Sequence, residues 1–441
     1  MPSSLSKTFA SQQPDVLGIY GQNGSGKTAV IEAMSFIQRL LKGEKLRPDT
    51  QHYISKEQGT CVITASFDIS AEGRNLRVEY RVELKRVGDD NFIIESESLS
   101  AKIWNGEKFN KKKLLLKFSD VTEGTAFEPN YRFDDLVKDN DKNELNLGVA
   151  VLLALKEHRS FIFNEESRKV FFSASKSVTS EYAFLIHVLY RYARYNLFVI
   201  TNQNAGLISL NLLPISYRLE TEDTIERGYL PIRLSEPSLV DQKRYDLILQ
   251  IIPQLNGVLC QLIPDITLGV YNIGEQLLKN GTVGHKIQLI SIRGNVKIPL
   301  KYESEGIIKI ISILNALMYV FNNPSSCLLI DELDSGIFEY LLGEVLLFFS
   351  KNAKGQLVFT SHNLRALEIL PKAGVLFSTA NPKNRYIRLR DVKKNNNLRD
   401  FYLRSIKLGG QSEDIYAETD TTEIGRAFRR AGKVVQNGED N

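Results

Sequence analysis

The chain has 441 residues, of which 43% are apolar and 24% charged, and its net charge is +4. This composition can build two or three apolar cores, and so small a net charge does not require a nucleic-acid partner. The three cysteines, Cys61, Cys260 and Cys327, are too scattered to predict a disulfide framework or a zinc site. No apolar stretch approaches the roughly 20 residues that span a bilayer, and the N-terminus lacks a signal-peptide core. We therefore expect a cytoplasmic protein with no membrane partner.

An octet near the N-terminus has the form of a phosphate-binding P-loop. It follows the apolar run Leu17–Tyr20 and precedes apolar residues at helical spacing. Its glycines let backbone N–H groups face phosphates, Lys27 supplies a charge for the β and γ phosphates, and Thr28 offers a hydroxyl to Mg²⁺. The octet predicts ATP binding, the alternative being an ordinary glycine-rich turn before a helix. Its residues are Gly21, Gln22, Asn23, Gly24, Ser25, Gly26, Lys27 and Thr28.

The central part of the chain changes from strand-like to helix-like patterns and back. Apolar or alternating runs at residues 62–67, 76–84 and 92–103 predict antiparallel strands. Residues 106–146 are polar and rich in lysine, and residues 147–159, 182–195 and 241–258 have helical periodicity. Strand patterns return at residues 267–272, 286–293 and 297–300. We therefore predict an inserted, mainly helical lobe between residues 106 and 260.

A second acidic motif lies far downstream of the octet. The short apolar run Cys327–Ile330 ends in Asp331 and Glu332, which is the form of a Walker B strand. One such carboxylate can hold Mg²⁺ through water while its neighbour polarises the attacking water, so we assign Asp331 to the metal and Glu332 to catalysis. The alternative is a core strand that ends in solvated acids.

The segments after the Walker B run predict a further catalytic side chain. Leu333–Gly336 is followed by a helical pattern over residues 337–349 and an apolar strand over 356–360, which leads into His362. Parallel neighbouring strands present their carboxyl ends on the same side, so His362 is predicted beside the Walker B acids, within reach of a γ-phosphate. A satisfied structural histidine is the alternative.

A polar segment before the Walker B strand could bind an anion. Ser304 and Gly306 stand directly ahead of the long apolar pattern Ile307–Phe321, where Ser304 can cap a helix. Free N–H groups at a helix start suit a phosphate. A helix cap alone does not indicate ATP binding. The position of this segment directly ahead of the Walker B strand is what supports its assignment to the nucleotide site.

Together these motifs resemble ABC-type ATPases, the group that includes RecF, SMC, Rad50-like and OLD-like proteins. The sequences of these motifs are most similar to those of AAA-type ATP-binding proteins of prokaryotic abortive-infection and anti-phage systems, such as the ATPase subunits of PARIS and Septu. The similar segments are residues 24–28, 303–306, 330–334 and 359–363, with a recurrent tail at 397–403. The chain departs from transporter subunits, because residues 304–307 are not Leu-Ser-Gly-Gly-Gln. A glutamine loop cannot be placed, with Gln51 and Gln58 as candidates, and the short polar stretch before Leu17 suggests a native start upstream.

The resemblance implies an α/β fold: a P-loop NTPase of the ABC type, with an antiparallel β subdomain and the inserted lobe. The implied division is an N-terminal head part (1–105), the lobe (106–260), a C-terminal head part (261–390) and a tail (391–441). ATP and Mg²⁺ would lie between two copies of the chain in a homodimer or higher oligomer. Lys27, Thr28, Asp331, Glu332, Asp334 and His362 would face the nucleotide from one copy, and Ser304 with Gly306 from the other.

Two functions of different kinds remain open from the sequence. The first is a nucleotide-switched scaffold or sensor in anti-phage defence, which controls a separate effector such as a nuclease, since the roughly 80 residues after His362 are short for a fused nuclease domain. The second is a RecF-like DNA-repair ATPase, for which Lys111–Lys113 and the basic aromatic segment Tyr190–Tyr195 could contact DNA. Both segments also fit ordinary roles, as a solvated charge run and a core helix face. A structural module that binds ATP but barely hydrolyses it is a third possibility. The predicted catalytic residue Glu332 argues against it.

Overall fold

The computed structural model describes residues 15–71, 73–88, 91–119, 127–138, 140–173, 182–220, 225–389, 397–409, 411–416 and 420–436. The strands are β1 (Val16–Tyr20), β2 (Thr60–Ala71), β3 (Arg74–Val87), β4 (Asn91–Ile103), β5 (Lys113–Ser119), β6 (Phe127–Glu128), β7 (Leu197–Ile200), β8 (Leu212–Glu220), β9 (Ile225–Arg233), β10 (Ser238–Asp241), β11 (Thr267–Leu277), β12 (Val283–Arg293), β13 (Val296–Pro299), β14 (Cys327–Ile330), β15 (Gln356–Thr360), β16 (Val375–Ser378) and β17 (Tyr386–Ile387). The stretch before Asp15, which bears on an upstream start, lies outside the described residues.

The helices alternate with these strands along the chain. They are α1 (Lys27–Leu41), α2 (Asn130–Val137), α3 (Asp141–Glu157), α4 (Glu165–Ser173), α5 (Ala183–Arg191), α6 (Asn202–Ser209), α7 (Gln242–Leu262), α8 (Glu305–Asn322), α9 (Glu339–Asn352), α10 (Arg365–Ile369), α11 (Leu398–Leu408) and α12 (Thr421–Gln436). Short 3₁₀ turns cover Pro48–Tyr53, Leu300–Tyr302 and Lys372–Gly374, and a π-helical turn covers Tyr192–Asn196.

A six-stranded sheet forms the centre of the fold, in the order β17-β16-β1-β15-β14-β7. Strands β16, β1, β15, β14 and β7 run parallel, and β17 is antiparallel to β16. The four residues of β14 and the four of β7 are all buried, as expected for parallel strands covered on both faces. Because these strands are parallel, their carboxyl ends lie along one edge of the sheet, and the acidic and phosphate-binding motifs follow those ends.

Two further layers pack beside the central sheet. The antiparallel sheet β2-β3-β4-β5-β6 shares one core with α1 to α5, which confirms the predicted run of antiparallel strands after the first helix. Strands β8 to β13 form a hairpin and a four-stranded sheet that pack against α7 and one side of α8. The other side of α8 packs on the central sheet, so α8 joins the two cores.

The interval 106–260 is mainly helical, as predicted, but it is not made of helices alone. It contains strands β5 to β10 as well as α2 to α6 and most of α7. Strand β5 extends the antiparallel sheet, and β7 lies beside β14 in the central sheet. A four-residue apolar run such as Leu197–Ile200 directly after a helical pattern cannot be told from the end of that helix by periodicity, because both are continuously apolar. The division at residues 105, 260 and 390 stays a prediction.

Helix α8 is the one helix among the described residues that is long and apolar enough to cross a membrane. Most of it is buried between the central sheet and the β8–β13 layer, however, and a buried core helix has the same composition. Its apolar character is therefore accounted for by packing inside the protein.

The cysteines Cys61, Cys260 and Cys327 are all free.

Candidate functional site

The P-loop connects the end of β1 to the start of α1 at the carboxyl edge of the central sheet. Gly26 directly precedes α1 in a left-handed conformation (φ 96°), which favours glycine. This conformation directs the chain from the loop to the first turn of the helix. The ammonium of Lys27, the first helical residue, donates to the carbonyls of Gly21 and Gln22 at 2.9 and 3.0 Å. The lysine thus lies across the mouth of the loop, where a phosphate would take the place of these carbonyl contacts.

Residues near the end of the central sheet hold the P-loop from behind. The hydroxyl of Ser378 donates to the Tyr20 carbonyl at 3.1 Å, and it lies 2.5 Å from the hydroxyl of Ser25. Tyr386 donates its hydroxyl to the Gly26 carbonyl at 2.7 Å, and Arg385 donates to the Ser25 carbonyl at 3.2 Å. A side chain at Gly26 would collide with Arg385, since an added Cβ would lie 2.7 Å from its guanidinium nitrogen. These residues belong to no sequence motif and were not predicted to lie at the site.

Asp331 meets Thr28 at the next position along the edge. The Thr28 hydroxyl donates to Asp331 Oδ1 at 3.3 Å, and the Thr360 hydroxyl donates to the same oxygen at 2.5 Å. Asp331 is buried, and its other oxygen, Oδ2, has no hydrogen-bond partner. A hydroxyl and a carboxylate with an unsatisfied buried oxygen are the oxygen ligands that Mg²⁺ prefers, so these residues fit the ion. No group of three or more His, Cys, Asp or Glu with metal-binding geometry occurs in the described part of the chain.

Glu332 occupies a strained backbone position directly after β14. Its φ is 47°, in the left-handed region that a glutamate rarely adopts. Its N–H donates to the Thr360 hydroxyl at 2.7 Å, and its carbonyl accepts a hydrogen bond from the ammonium of Lys309 on α8. Strain of this kind persists only where the surroundings hold it, and it is common at functional sites. The backbone contacts on both sides of Glu332 fix the direction in which its carboxylate leaves the chain.

Asp334 and His362 belong to adjacent loops at the same edge. The backbone N–H of His362 donates to Asp334 Oδ2 at 3.1 Å, whereas Asp334 Oδ1 is buried without a hydrogen-bond partner. The imidazole of His362 is exposed. Strands β14 and β15 are parallel neighbours, so the predicted placement of His362 beside the Walker B loop agrees with the strand order.

Ser304 and Gly306 lie at the start of α8, beside the loop that contains Asp334. Ser304 is exposed and caps the helix by accepting from the Ile307 N–H at 3.3 Å. Gly306 packs so closely on Gly336 that an added Cβ would lie 1.9 Å from the Gly336 carbonyl oxygen. The start of α8 therefore adjoins the loop of residues 331–336, which we call the acidic loop.

The charges at this edge act on one another. Burial lowers the pKa of Lys27, and the nearby carboxylates of Asp331, Glu332 and Asp334 oppose that shift. Burial likewise lowers the pKa of Lys309, against the same three carboxylates. Two buried lysines thus face three acids, an arrangement that can exchange acid–lysine contacts for contacts with phosphate and a metal ion.

The structure brings six of the predicted residues to this edge: Lys27, Thr28, Asp331, Glu332, Asp334 and His362, the last through its backbone N–H. Thr360 and Lys309 were missed by the sequence analysis. Their signals are weak, since Thr360 only ends a strand before Ser-His, and Lys309 is a single lysine within an apolar helix. Of the two glutamine-loop candidates, Gln51 is buried in a 3₁₀ turn and its side-chain oxygen has no hydrogen-bond partner, whereas Gln58 is exposed.

Comparison with protein families gives one match, to residues 16–146. The family is described as "AAA domain, putative AbiEii toxin, Type IV TA system". The N-terminal part of this chain resembles an AAA domain. The matched residues begin at β1 and include the whole P-loop, so the match supports a nucleotide-binding ATPase domain. No curated protein matches the chain.

Solved structures similar to this chain include two SMC heads. One is a SmcHead bound to the C-winged helix domain of ScpA, with 11% identity, a TM-score of 0.32 and coverage of 79% of this chain and 83% of the other. The second is an Smc head domain with an extended coiled coil bound to the C-terminal domain of ScpA, derived from Pyrococcus furiosus. It has 11% identity, a TM-score of 0.31 and coverage of 83% of this chain and 87% of the other.

Proposed function

We propose that this protein is an ATP-binding and ATP-hydrolysing ABC-type ATPase that acts as a nucleotide-switched scaffold or sensor in cytoplasmic anti-phage defence. The observation that carries the ATPase activity is the convergence of the P-loop, Asp331, Glu332 and Thr360 at one edge of a parallel sheet. Ligands bind at this edge in open α/β sheets. The family description of the matched region, with its putative toxin of a type IV toxin–antitoxin system, supports the defence context.

Each residue of the site has a separate task in the proposed hydrolysis. The P-loop N–H groups and Lys27 hold the phosphates, and Thr28 with Asp331 would hold Mg²⁺, which neutralises charge on the phosphates when bound. The Glu332 carboxylate accepts a proton from the attacking water and orients that water. His362 donates to the γ-phosphate from the neighbouring loop, and Asp334 holds the His362 backbone.

The site is complete only when a second copy of the chain is added. Ser304 is exposed at the start of α8, and the nearby Gly306 packs on Gly336 at the end of the acidic loop. A second copy in the opposite orientation would bring its own Ser304 and its helix start to the first copy's γ-phosphate. ATP would then close a homodimer and hydrolysis would open it, which makes the nucleotide a switch.

The switch is proposed to control a separate effector protein, such as a nuclease. The described residues contain no metal-binding cluster of three acids, histidines or cysteines that could serve a nuclease within this chain. The test is mass spectrometry of the proteins that co-purify with tagged Glu332→Gln from native cells, because this variant should hold the ATP-closed state. We expect a stoichiometric nuclease-like or toxin-like partner.

The matched control for this purification is the double variant Lys27→Ala, Glu332→Gln. It carries the same blocked catalytic residue but should bind no nucleotide, so a partner that depends on the closed state should be lost from it. Recovery of nucleic acid and repair proteins, with no stoichiometric effector, would contradict the defence role.

A second candidate function is a DNA-repair ATPase, favoured by what we call the Arg–Tyr surface: Arg168, Tyr190, Arg191, Arg194 and Tyr195. Arg168 stacks 3.7 Å above the Tyr190 ring, and Arg194 lies 5.7 Å from the Tyr195 ring. Arg191 and Arg194 are exposed. Exposed guanidinium groups beside aromatic rings suit a phosphate backbone.

Duplex binding at several salt concentrations tests this second candidate. If the Arg–Tyr surface binds DNA, the double variant Arg191→Ala, Arg194→Ala should bind more weakly. The negative slope of log K against log salt should then become shallower, by about 0.9 per lost phosphate contact. Lys351→Ala, Lys354→Ala is the matched control, since both lysines are exposed at the end of α9 and their loss removes the same charge away from the Arg–Tyr surface and from Lys111–Lys113. The candidate fails if the wild type with ATP and Mg²⁺ shows no salt-dependent duplex binding.

A further inference from the structure

Lys309 is the one charged residue in α8 after Glu305, and it is buried in the helix face that meets the acidic loop. Only 8% of its surface is exposed. A buried ammonium is costly unless it is paired or hydrogen-bonded. The Lys309 ammonium donates to the Glu332 carbonyl, and the nearby acids Asp331, Glu332 and Asp334 favour its charge. A charge at this place in an otherwise apolar helix indicates a role beyond packing.

The hydrogen bonds on the two sides of Glu332 come from different parts of the fold. On the N–H side, Thr360 of β15 accepts from the Glu332 backbone at 2.7 Å, and the Leu333 N–H donates to the Thr360 carbonyl at 3.0 Å. On the carbonyl side the partner is Lys309 of α8. The strand therefore holds one half of the strained turn (φ 47°) and the helix holds the other.

Lys309 is also close to the part of α8 that would meet the nucleotide of a second copy. It lies one helical turn beyond Glu305, and the Gly306 backbone packs directly on Gly336 at the far end of the acidic loop. Helix α8 thus contacts the loop at two places, near its catalytic residue and near its end. Because packed elements move as units, a shift of the helix start displaces both contacts together.

We infer that Lys309 is a positioning residue, which ties the orientation of the Glu332 carboxylate to the position of α8 and its Ser304-bearing end. This inference rests on the proposed ATPase function and deepens it. Docking of the second copy against Ser304 sets the position of α8, and the same helix holds the Glu332 backbone through Lys309. The catalytic carboxylate is therefore aligned only when α8 is in its docked position. Hydrolysis is thereby made conditional on closure of the dimer.

The test compares Lys309→Met with Ser312→Ala, a neighbour on the same buried helix face whose hydroxyl donates to the Lys309 carbonyl and not to the acidic loop. Single-turnover hydrolysis of bound ATP should fall roughly 30- to 100-fold in Lys309→Met, with nucleotide affinity within about threefold of wild type. Ser312→Ala should retain the wild-type rate, and Lys309→Arg should recover part of it, because arginine keeps a charged donor.

A double-mutant cycle separates positioning from a general loss of folding. If Lys309 acts through Glu332, adding Lys309→Met to Glu332→Gln should change the residual rate by less than about twofold. If the lysine only stabilises the fold, both effects multiply and the nucleotide affinity falls with them. The second result, or a Lys309→Met enzyme with wild-type single-turnover rate, would overturn the inference.

Amide hydrogen exchange gives a readout that does not need hydrolysis. Lys309→Met should raise exchange across residues 331–336 by roughly tenfold, while Ser312→Ala should not. If wild type and Glu332→Gln hydrolyse ATP equally, the proposed ATPase mechanism fails, and exchange still shows whether Lys309 holds the loop. Unchanged exchange in Lys309→Met overturns the role of Lys309 even where Glu332 proves catalytic.

Discussion

Glu332→Gln is expected to lower ATP turnover roughly 10²- to 10⁴-fold, the usual contribution of a general base. The glutamine keeps the size of the side chain and leaves the backbone contacts to Thr360 and Lys309 in place, so nucleotide affinity should stay within about threefold of wild type. The closed dimer should accumulate with ATP, because hydrolysis opens it. Phosphate release and size-exclusion chromatography with light scattering measure the two effects.

Glu344→Gln is the matched control for this variant. It makes the same substitution on an exposed face of α9, outside the site, and should leave both turnover and association unchanged. Equal hydrolysis by wild type and Glu332→Gln would refute the catalytic assignment of Glu332.

Lys27→Ala is expected to abolish tight nucleotide binding rather than catalysis alone. A charge-assisted contact of this kind contributes about 2–3 kcal/mol, so the dissociation constant should rise roughly 30- to 150-fold. Lys42→Ala, at the end of the same helix and paired with Glu44 at 2.6 Å, is the control and should bind like wild type. Titration with a fluorescent ATP analogue is the measurement, and equal affinities would remove Lys27 from the site.

The pKa of Lys27 adds a pH dependence to the same titration. Burial lowers the pKa of Lys27 when no nucleotide is bound, whereas a bound phosphate favours the charged lysine and raises its pKa. Because a ligand that raises a pKa binds the protonated form more tightly, nucleotide affinity should fall as the pH rises through the pKa of Lys27 in the nucleotide-free protein. Lys27→Ala should lose this dependence.

The elements that the sequence predicted well carry strong local patterns. Strand β1, helix α1, strand β14 and strand β15 lie where apolar periodicity and the P-loop spacing put them, within a few residues. The same local patterns imply that Asp331 and His362 lie at neighbouring strand ends, since one strand–helix unit separates them. Fold class follows from this alternation of strands and helices, because it leads to a parallel sheet.

The contacts that the sequence could not predict depend on strand order. Tyr386 reaches Gly26 across 360 residues, and Thr360 reaches Asp331 across 29. The sequence of residues 375–387 does not predict a contact with a phosphate-binding loop, because a tyrosine and an arginine at a sheet edge commonly have other structural roles. Lys309 was overlooked for a similar reason, since one lysine in an apolar helix can also extend to solvent. Only the pairing of β16 with β1 and the packing of α8 decide these roles.

The long reach from Tyr386 to Gly26 has a consequence for synthesis of the chain. The P-loop is made before the residues that support it, which follow 360 positions later, and synthesis of that interval takes about 20–70 s at 5–20 residues per second. Strand β1 lies between β15 and β16, so over that interval it has neither of its neighbours. The nascent chain must therefore keep an apolar strand unpaired, and ATP can stabilise the protein only after the last strands of the sheet have been made.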